Sequence, residues 1–193
     1  MKIQPPLLFI LLIFLPLADL FAQIVIPKEY FSSPLNIGLS LTGSFSEVRP
    51  NHFHSGIDFS VQQKEGFPVF AVADGVISRI KVSPVGFGNA LYIDHPNGFT
   101  SVYAHLQAYN DTITGYLRAY QYKQKSFPVD LFPFNKKEFI RVKKGQIIGY
   151  AGNSGSSGGA HLHFELRNTR TENIINPLLF GFSITDNYFS ILK

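Results

Sequence analysis

Residues 159 to 166 read Gly-Ala-His-Leu-His-Phe-Glu-Leu, and they place two of the chain's six histidines one residue apart inside an otherwise apolar run. Successive side chains of a strand point to opposite faces. His161 and His163 therefore project together from one face, and Leu162 and Phe164 pack on the other. Scattering six histidines over 193 positions gives about 0.2 such pairs by chance. The pair gains meaning only with partners elsewhere in the chain.

Working outward, short runs rich in Val, Ile, Phe and Tyr recur between turn signals: GIDFSV, PVFAVADGVISRIKVS, NALYIDH, FTSVYAHL, QIIGYAG and HLHFEL. Closely spaced strands punctuated by Gly, Pro and Asn predict an all-β domain, mainly antiparallel sheet. His95-Pro96-Asn97-Gly98 carries the turn residues to join LYID to FTSVYAHL as a hairpin. Residues 107–139 interrupt this pattern, beginning with a helix-like NDTITGYLRAYQYKQKS that Asn110 or Asp111 would cap and Gly115 would weaken. An insertion of that length is either a groove wall or a solvated decoration packed by its own aromatics. The Gly/Ser segment 152–159 reads as a flexible loop.

The first 22 residues carry Lys2, an apolar run from Leu7 to Leu17 and a small Ala22, the pattern of a secretory signal peptide. The run is shorter than the ~20 residues of a spanning helix and contains Pro16, so no stable membrane span is expected after cleavage. Export to the periplasm or cell envelope, or beyond it, is the expected destination. Residues 23–47 read as an extended lead-in, 48–182 as the domain and 183–193 as a tail. With no cysteine, the chain forms no disulfide and no thiolate metal site, so any metal must rest on His, Asp or Glu. A net charge of +4 suits anionic surroundings, and basic runs, RNA-type aromatic motifs and zinc-finger spacings are absent, which argues against nucleic acid.

Upstream, Asn51-His52-Phe53-His54-Ser55-Gly56-Ile57-Asp58 puts His54 four residues before Asp58. A strand from Gly56 would bury Ile57 and Phe59 and turn Asp58 outward, with His54 folding back over the glycine. Imidazole nitrogen and carboxylate oxygen suit zinc, and a third donor from GAHLHFEL would complete a catalytic set of three. In a regular YAHL strand, Tyr103 and His105 share one face and Val102, Ala104 and Leu106 the other, which aims His105 out of the core.

The ordered set His54-Ser55-Gly56-Ile57-Asp58, Tyr103-Ala104-His105-Leu106, Gly152-Asn153-Ser154-Gly155 and His161-Leu162-His163-Phe164-Glu165 resembles the lysostaphin-type (LytM-like) zinc metallopeptidases over about residues 48–180. The resemblance implies one Zn2+ on His54, Asp58 and His163, with His161 and His105 as unligated catalytic histidines. It also implies peptidoglycan cross-link peptides as substrate and allows a regulatory protein partner. In this reading His161 is the general base, and His105 orients the reactants and stabilises the oxyanion. Glu165 is either a partner orienting a ligand or a solvated edge carboxylate. His52, His95, Asp74, Asp94 and Asn89 are assigned to turns and structure. Two further readings stand beside the enzyme: a non-catalytic wall-binding or amidase-activating module of the same fold, and a biotinyl/lipoyl-type carrier. ADGVISRIKVS and VKKGQIIGYAG resemble the carrier's strands and suggest a barrel-sandwich, but the only methionine is Met1.

Overall fold

The computed structural model describes residues 26–133 and 139–185. The expected leader, most of the C-terminal tail and residues 134–138 of the insertion lie outside the described residues. In chain order the strands are β1 (Leu41–Gly43), β2 (Val48–Arg49), β3 (His52–Phe53), β4 (Ile57–Ser60), β5 (Pro68–Phe70), β6 (Gly75–Val82), β7 (Ala90–Asp94), β8 (Phe99–Ala104) and β9 (Leu106–Tyr109). Helix α1 (Asp111–Gln124) follows, then β10 (Val129–Leu131), β11 (Arg141–Val142), β12 (Ile147–Ala151), β13 (His161–Asn168) and β14 (Ile174–Ile175).

The main sheet has the order β1-β4-β13-β8-β7-β6-β10, with β11 added on β6 and β14 on β13. A second sheet has the order β5-β12-β9, and β2 and β3 form a separate hairpin. Every ladder between these strands is antiparallel. The all-β architecture, with one α-helix among the described residues, matches the fold class read from the periodicity.

Alternation places the core. Ile57 and Phe59 of β4, Leu162 and Phe164 of β13, and Leu91 and Ile93 of β7 are buried against Val69, Ile148 and Leu106 of the smaller sheet. The opposite face of the main sheet carries a small cluster of Ala90, Tyr92, Val102 and Ala104, with Phe87 packed on it. His163 lies opposite Ala104 on this face, so the site sits on a floor of small apolar side chains.

Two expectations change. The YAHL run is not one strand: His105 has φ +57° and separates β8 from β9. That left-handed residue breaks the two-residue alternation. Tyr103 therefore points into the core with Leu106, while Val102 and Ala104 take the outer face. The lead-in, expected to end where the domain begins at residue 48, contributes to the domain itself, because β1 pairs with β4 and Phe31, Leu35 and Leu39 are buried in the core.

The insertion is also partly built into the sheets. Its first residues belong to β9, which pairs with β12, and its β10 extends the far edge of the main sheet on β6. Between them α1 is capped by Asn110, whose Oδ1 accepts from Ile113 N, and it buries only Ile113 and Leu117. Gly115 is accommodated within it. Among the described residues no helix is long and apolar enough to cross a membrane.

Candidate metal centre

The β4–β13 ladder sets Asp58 directly opposite His163, and both side chains leave the core face because Ile57, Phe59, Leu162 and Phe164 occupy it. His54 precedes β4 and returns to the same spot. His54 Nε2 lies 3.1 Å from Asp58 Oδ1, His163 Nδ1 lies 3.0 Å from Asp58 Oδ1, and the two ring nitrogens are 3.0 Å apart. All three residues are buried and form the single group of three or more His, Cys, Asp or Glu side chains, among the described residues, that could hold a metal ion.

Each ring has its other nitrogen committed. His54 Nδ1–H donates to Ser44 O at 2.8 Å, and His163 Nε2–H donates to Glu165 Oε1 at 2.9 Å. A carbonyl or ionised carboxylate can only accept, so these contacts fix the tautomers and leave a bare lone pair on His54 Nε2 and on His163 Nδ1. Burial by itself would raise the Asp58 pKa, but the three imidazoles around it, His161, His163 and His54, favour its ionised form and hold this carboxyl far below the ordinary range. Three proton-free donors this close repel one another unless a cation lies among them. Tetrahedral zinc with ligands at ~2.0–2.1 Å spaces its donors about 3.3 Å apart, close to the observed triangle. The residues fit the ion. In its absence a proton is the substitute: burial opposes charge on His163, yet Asp58 and Glu165 raise its pKa above the ordinary value.

His161 and His105 stand beside this triangle, with ring centroids 4.8 Å apart. His161 Nδ1–H donates to Gly159 O at 2.8 Å, and its Nε2 lies 3.4 Å from Asp58 Oδ1. His105 Nδ1–H donates to Ser154 O at 2.8 Å. Burial pushes the His105 pKa down to about 4, so this ring is neutral at ordinary pH with its Nε2 free to accept. The left-handed backbone at His105 is what swings the imidazole from the core onto the outer face.

The structure brings all five expected site residues together. Glu165 resolves to the orienting alternative: it is wholly buried, bonded to His163, Ser55 and Arg167, and held low because those partners outweigh its burial. The Gly/Ser segment is pinned rather than loose, since Ser154 Oγ accepts from Asn89 N at 2.9 Å and donates to Leu106 O at 2.8 Å. His95 is a buried structural residue, donating and accepting between Asp74 O and Ser101 Oγ, both at 2.8 Å. Sequence reasoning missed Phe87, whose ring packs 4.9 Å from that of His163, and Arg49, whose Nη2 lies 2.9 Å from Asp58 Oδ2. Nothing in the local pattern marks either residue: Phe87 reaches His163 across the sheet from a distant part of the sequence, and Arg49, only nine residues from Asp58, sits on a separate two-stranded hairpin with no strand periodicity linking it to β4.

A buried His/Asp/His donor set on an antiparallel sheet, flanked by two further imidazoles with open nitrogens, is the equipment of a metal-dependent hydrolase. The chain belongs to Peptidase family M23, whose sequence profile matches residues 52–122 and 129–177. It is 36% identical over 114 residues to the DD-carboxypeptidase/endopeptidase Mpg of Neisseria meningitidis serogroup B, a match covering 59% of this chain and 20% of that protein. The chain thus matches about a fifth of the length of that relative. Among solved structures it resembles the catalytic domain of the antimicrobial peptidase lysostaphin from Staphylococcus simulans, with TM-score 0.51, 27% identity and coverage of 74% of this chain and 90% of that one. A zinc-containing peptidase from Vibrio cholerae shares the fold, with TM-score 0.57, 23% identity and coverage of 82% and 41%.

Proposed function

We propose that this chain is an exported zinc endopeptidase that hydrolyses peptide bonds in peptidoglycan cross-links, with residues 1–22 as its leader and 48–182 as its catalytic unit. The observation that carries this reading is the set of four imidazoles, each with its outer N–H given to a fixed acceptor and its remaining nitrogen free at the site. His54 Nε2, Asp58 Oδ1 and His163 Nδ1 are the atoms that would hold the ion. Bound zinc supplies a water acidic enough to act as hydroxide near neutral pH and polarises a carbonyl. His161 Nε2 accepts the water's proton, its charged ring stabilised by the neighbouring Asp58 carboxylate, and returns it to the leaving amine.

Neutral His105 orients the attacking water through Nε2. Stabilising an oxyanion, the other part of its expected role, would require a second proton on His105, which its burial opposes. The peptidoglycan substrate rests on family membership and on the activities for which relatives are named.

Zinc content and cleavage of cross-linked muropeptides, measured for the wild type, His163→Ala and His105→Ala, test the reading. The wild type should hold about one zinc and cleave. His163→Ala should lose the metal, and His105→Ala should keep it while losing more than about 100-fold in rate. Zinc-loaded wild type that leaves every muropeptide intact overturns the hydrolase, and wild type without affinity for zinc overturns the metal centre.

A further inference from the structure

Each of the three donors facing the metal position has a separate holder. Ser44 O holds His54, and Glu165 holds His163. Asp58 has two oxygens to manage. Oδ1 faces His54, His163 and His161 at 3.1, 3.0 and 3.4 Å, and Oδ2 faces Arg49 Nη2 at 2.9 Å. We propose that Arg49 is a positioning residue that ties up Asp58 Oδ2, so that Oδ1 alone is offered to the ion.

Three observations support this. A guanidinium–carboxylate contact is charge-assisted, hence short and strong enough to fix a side-chain torsion. The Arg49 Nε is buried without a hydrogen-bond partner among the described residues. Leaving a buried donor unsatisfied is unfavourable, so the carboxylate contacts of Nη2, the shorter one to Asp58 at 2.9 Å and a longer one to Glu47 Oε2 at 3.3 Å, account for where the side chain lies. The surroundings are also shaped for the pair. Gly43 lies opposite Asp58 in the β1–β4 ladder, and a Cβ there would sit 2.4 Å from Asp58 Oδ2 and 2.5 Å from Arg49 Nη2.

The chemical reason for such a device lies in carboxylate binding modes. A free Asp can bind a metal through one oxygen or two, and the second mode removes a position otherwise open to water or substrate. Locking Oδ2 from outside excludes that mode. Because the hairpin β2–β3 that carries Arg49 is also tied to His54 by Ser46 N→His54 O and His54 N→Glu47 O, both 2.9 Å, segment 43–49 orients two donors at once.

This inference rests on the zinc reading above, and its test separates the two. The full protein and its Arg49→Met and Arg49→Lys variants would be compared by chelator competition for zinc, by the visible absorption of the cobalt-substituted protein, and by kcat and KM. Arg49→Met should weaken zinc binding about 10–100-fold. It should also lower and shift the cobalt bands as the second oxygen enters the coordination shell, and lower kcat more than KM changes. Arg49→Lys should recover most of the affinity. Unchanged zinc affinity and cobalt bands in Arg49→Met overturn the proposal even if the metal-free variant unfolds more easily, which would leave Arg49 a purely structural role. Wild type that takes up neither zinc nor cobalt fails the metal reading itself.

Discussion

Two arginine–carboxylate pairs sit at opposite edges of the main sheet and look alike on paper. Arg79 and Asp130 join β6 to the edge strand β10 through two contacts, Nε to Oδ1 at 2.6 Å and Nη2 to Oδ2 at 2.5 Å. Arg49 and Asp58 meet through one contact at 2.9 Å. By distance and multiplicity the first pair is the better one. Yet the Asp130 side chain is 42% exposed and that of Asp58 only 6%. Exposed pairs are screened and contribute up to about 1 kcal/mol, whereas removing the partner of a buried carboxylate costs more because a charge is stranded, an effect softened here by the 33% exposure of the Arg49 side chain. The environment, not the bond length, ranks them.

The sharpest way to break the comparison is Gly43→Ala. Its added Cβ would displace Arg49 from Asp58 while leaving every charge in place, and crowding of this kind costs about 1–3 kcal/mol. Chelator competition should show zinc binding weakened about 10–100-fold, as expected when a group orienting a ligand is lost. Wild-type affinity in this variant would mean that the close approach at Gly43 has no bearing on the metal.

A smaller effect is expected from Arg79→Met, which removes the bidentate pair and the stacking of Arg79 on Tyr92 and Phe132, 4.9 and 5.1 Å from the ring centroids. Loss of about 1 kcal/mol should lower Tm by about 2–4 °C. Zinc affinity should not move, and a change there would show that the two edges are coupled.

The finest distinction is in acid. The hydrogen bond from Arg79 holds Asp130 below its ordinary value near 3.8. At Asp58, burial pushes upward but His161, His163 and His54 overcome it and hold the group lower still. A depressed carboxylate pKa stabilises the fold fully above the unfolded value, and that contribution fades as pH falls through the folded one. In metal-free protein acidified below about pH 3.8, amides of β10 should therefore exchange faster before those of β4 do. Hydrogen exchange measured by strand would show the order, and β4 opening first would contradict the ranking of the two pairs.

The legibility of the sequence follows the same division between local and distant causes. β4 and β13 were readable because each is an unbroken strand, and a period of two assigns every side chain to a face once one apolar residue is placed. The same rule misassigned Tyr103, since one left-handed residue at His105 inverts everything before it, and no composition signal marks a non-glycine residue with positive φ. His105 was nonetheless expected to leave the core, and it does so for a different backbone reason. Arg49 and Gly43 were not readable. Their partner is Asp58, and the contacts depend on how the three-residue β1, which carries Gly43, docks at a sheet edge and on where the separate hairpin carrying Arg49 folds, neither of which a repeating pattern specifies. The lead-in hid its structural part for the same reason.

The wide spacing of the donors has a consequence in time. His54 and His163 are separated by 109 residues, so no partial chain ending before β13 can bring both rings to one ion. The donor set closes only when β13 slots between β4 and β8, a pairing that is non-local in sequence. A chain threaded unfolded through a membrane would carry its histidines but no formed site. Metal would then be taken from the compartment where folding finishes, and its capture would report that β13 is in place between its neighbours.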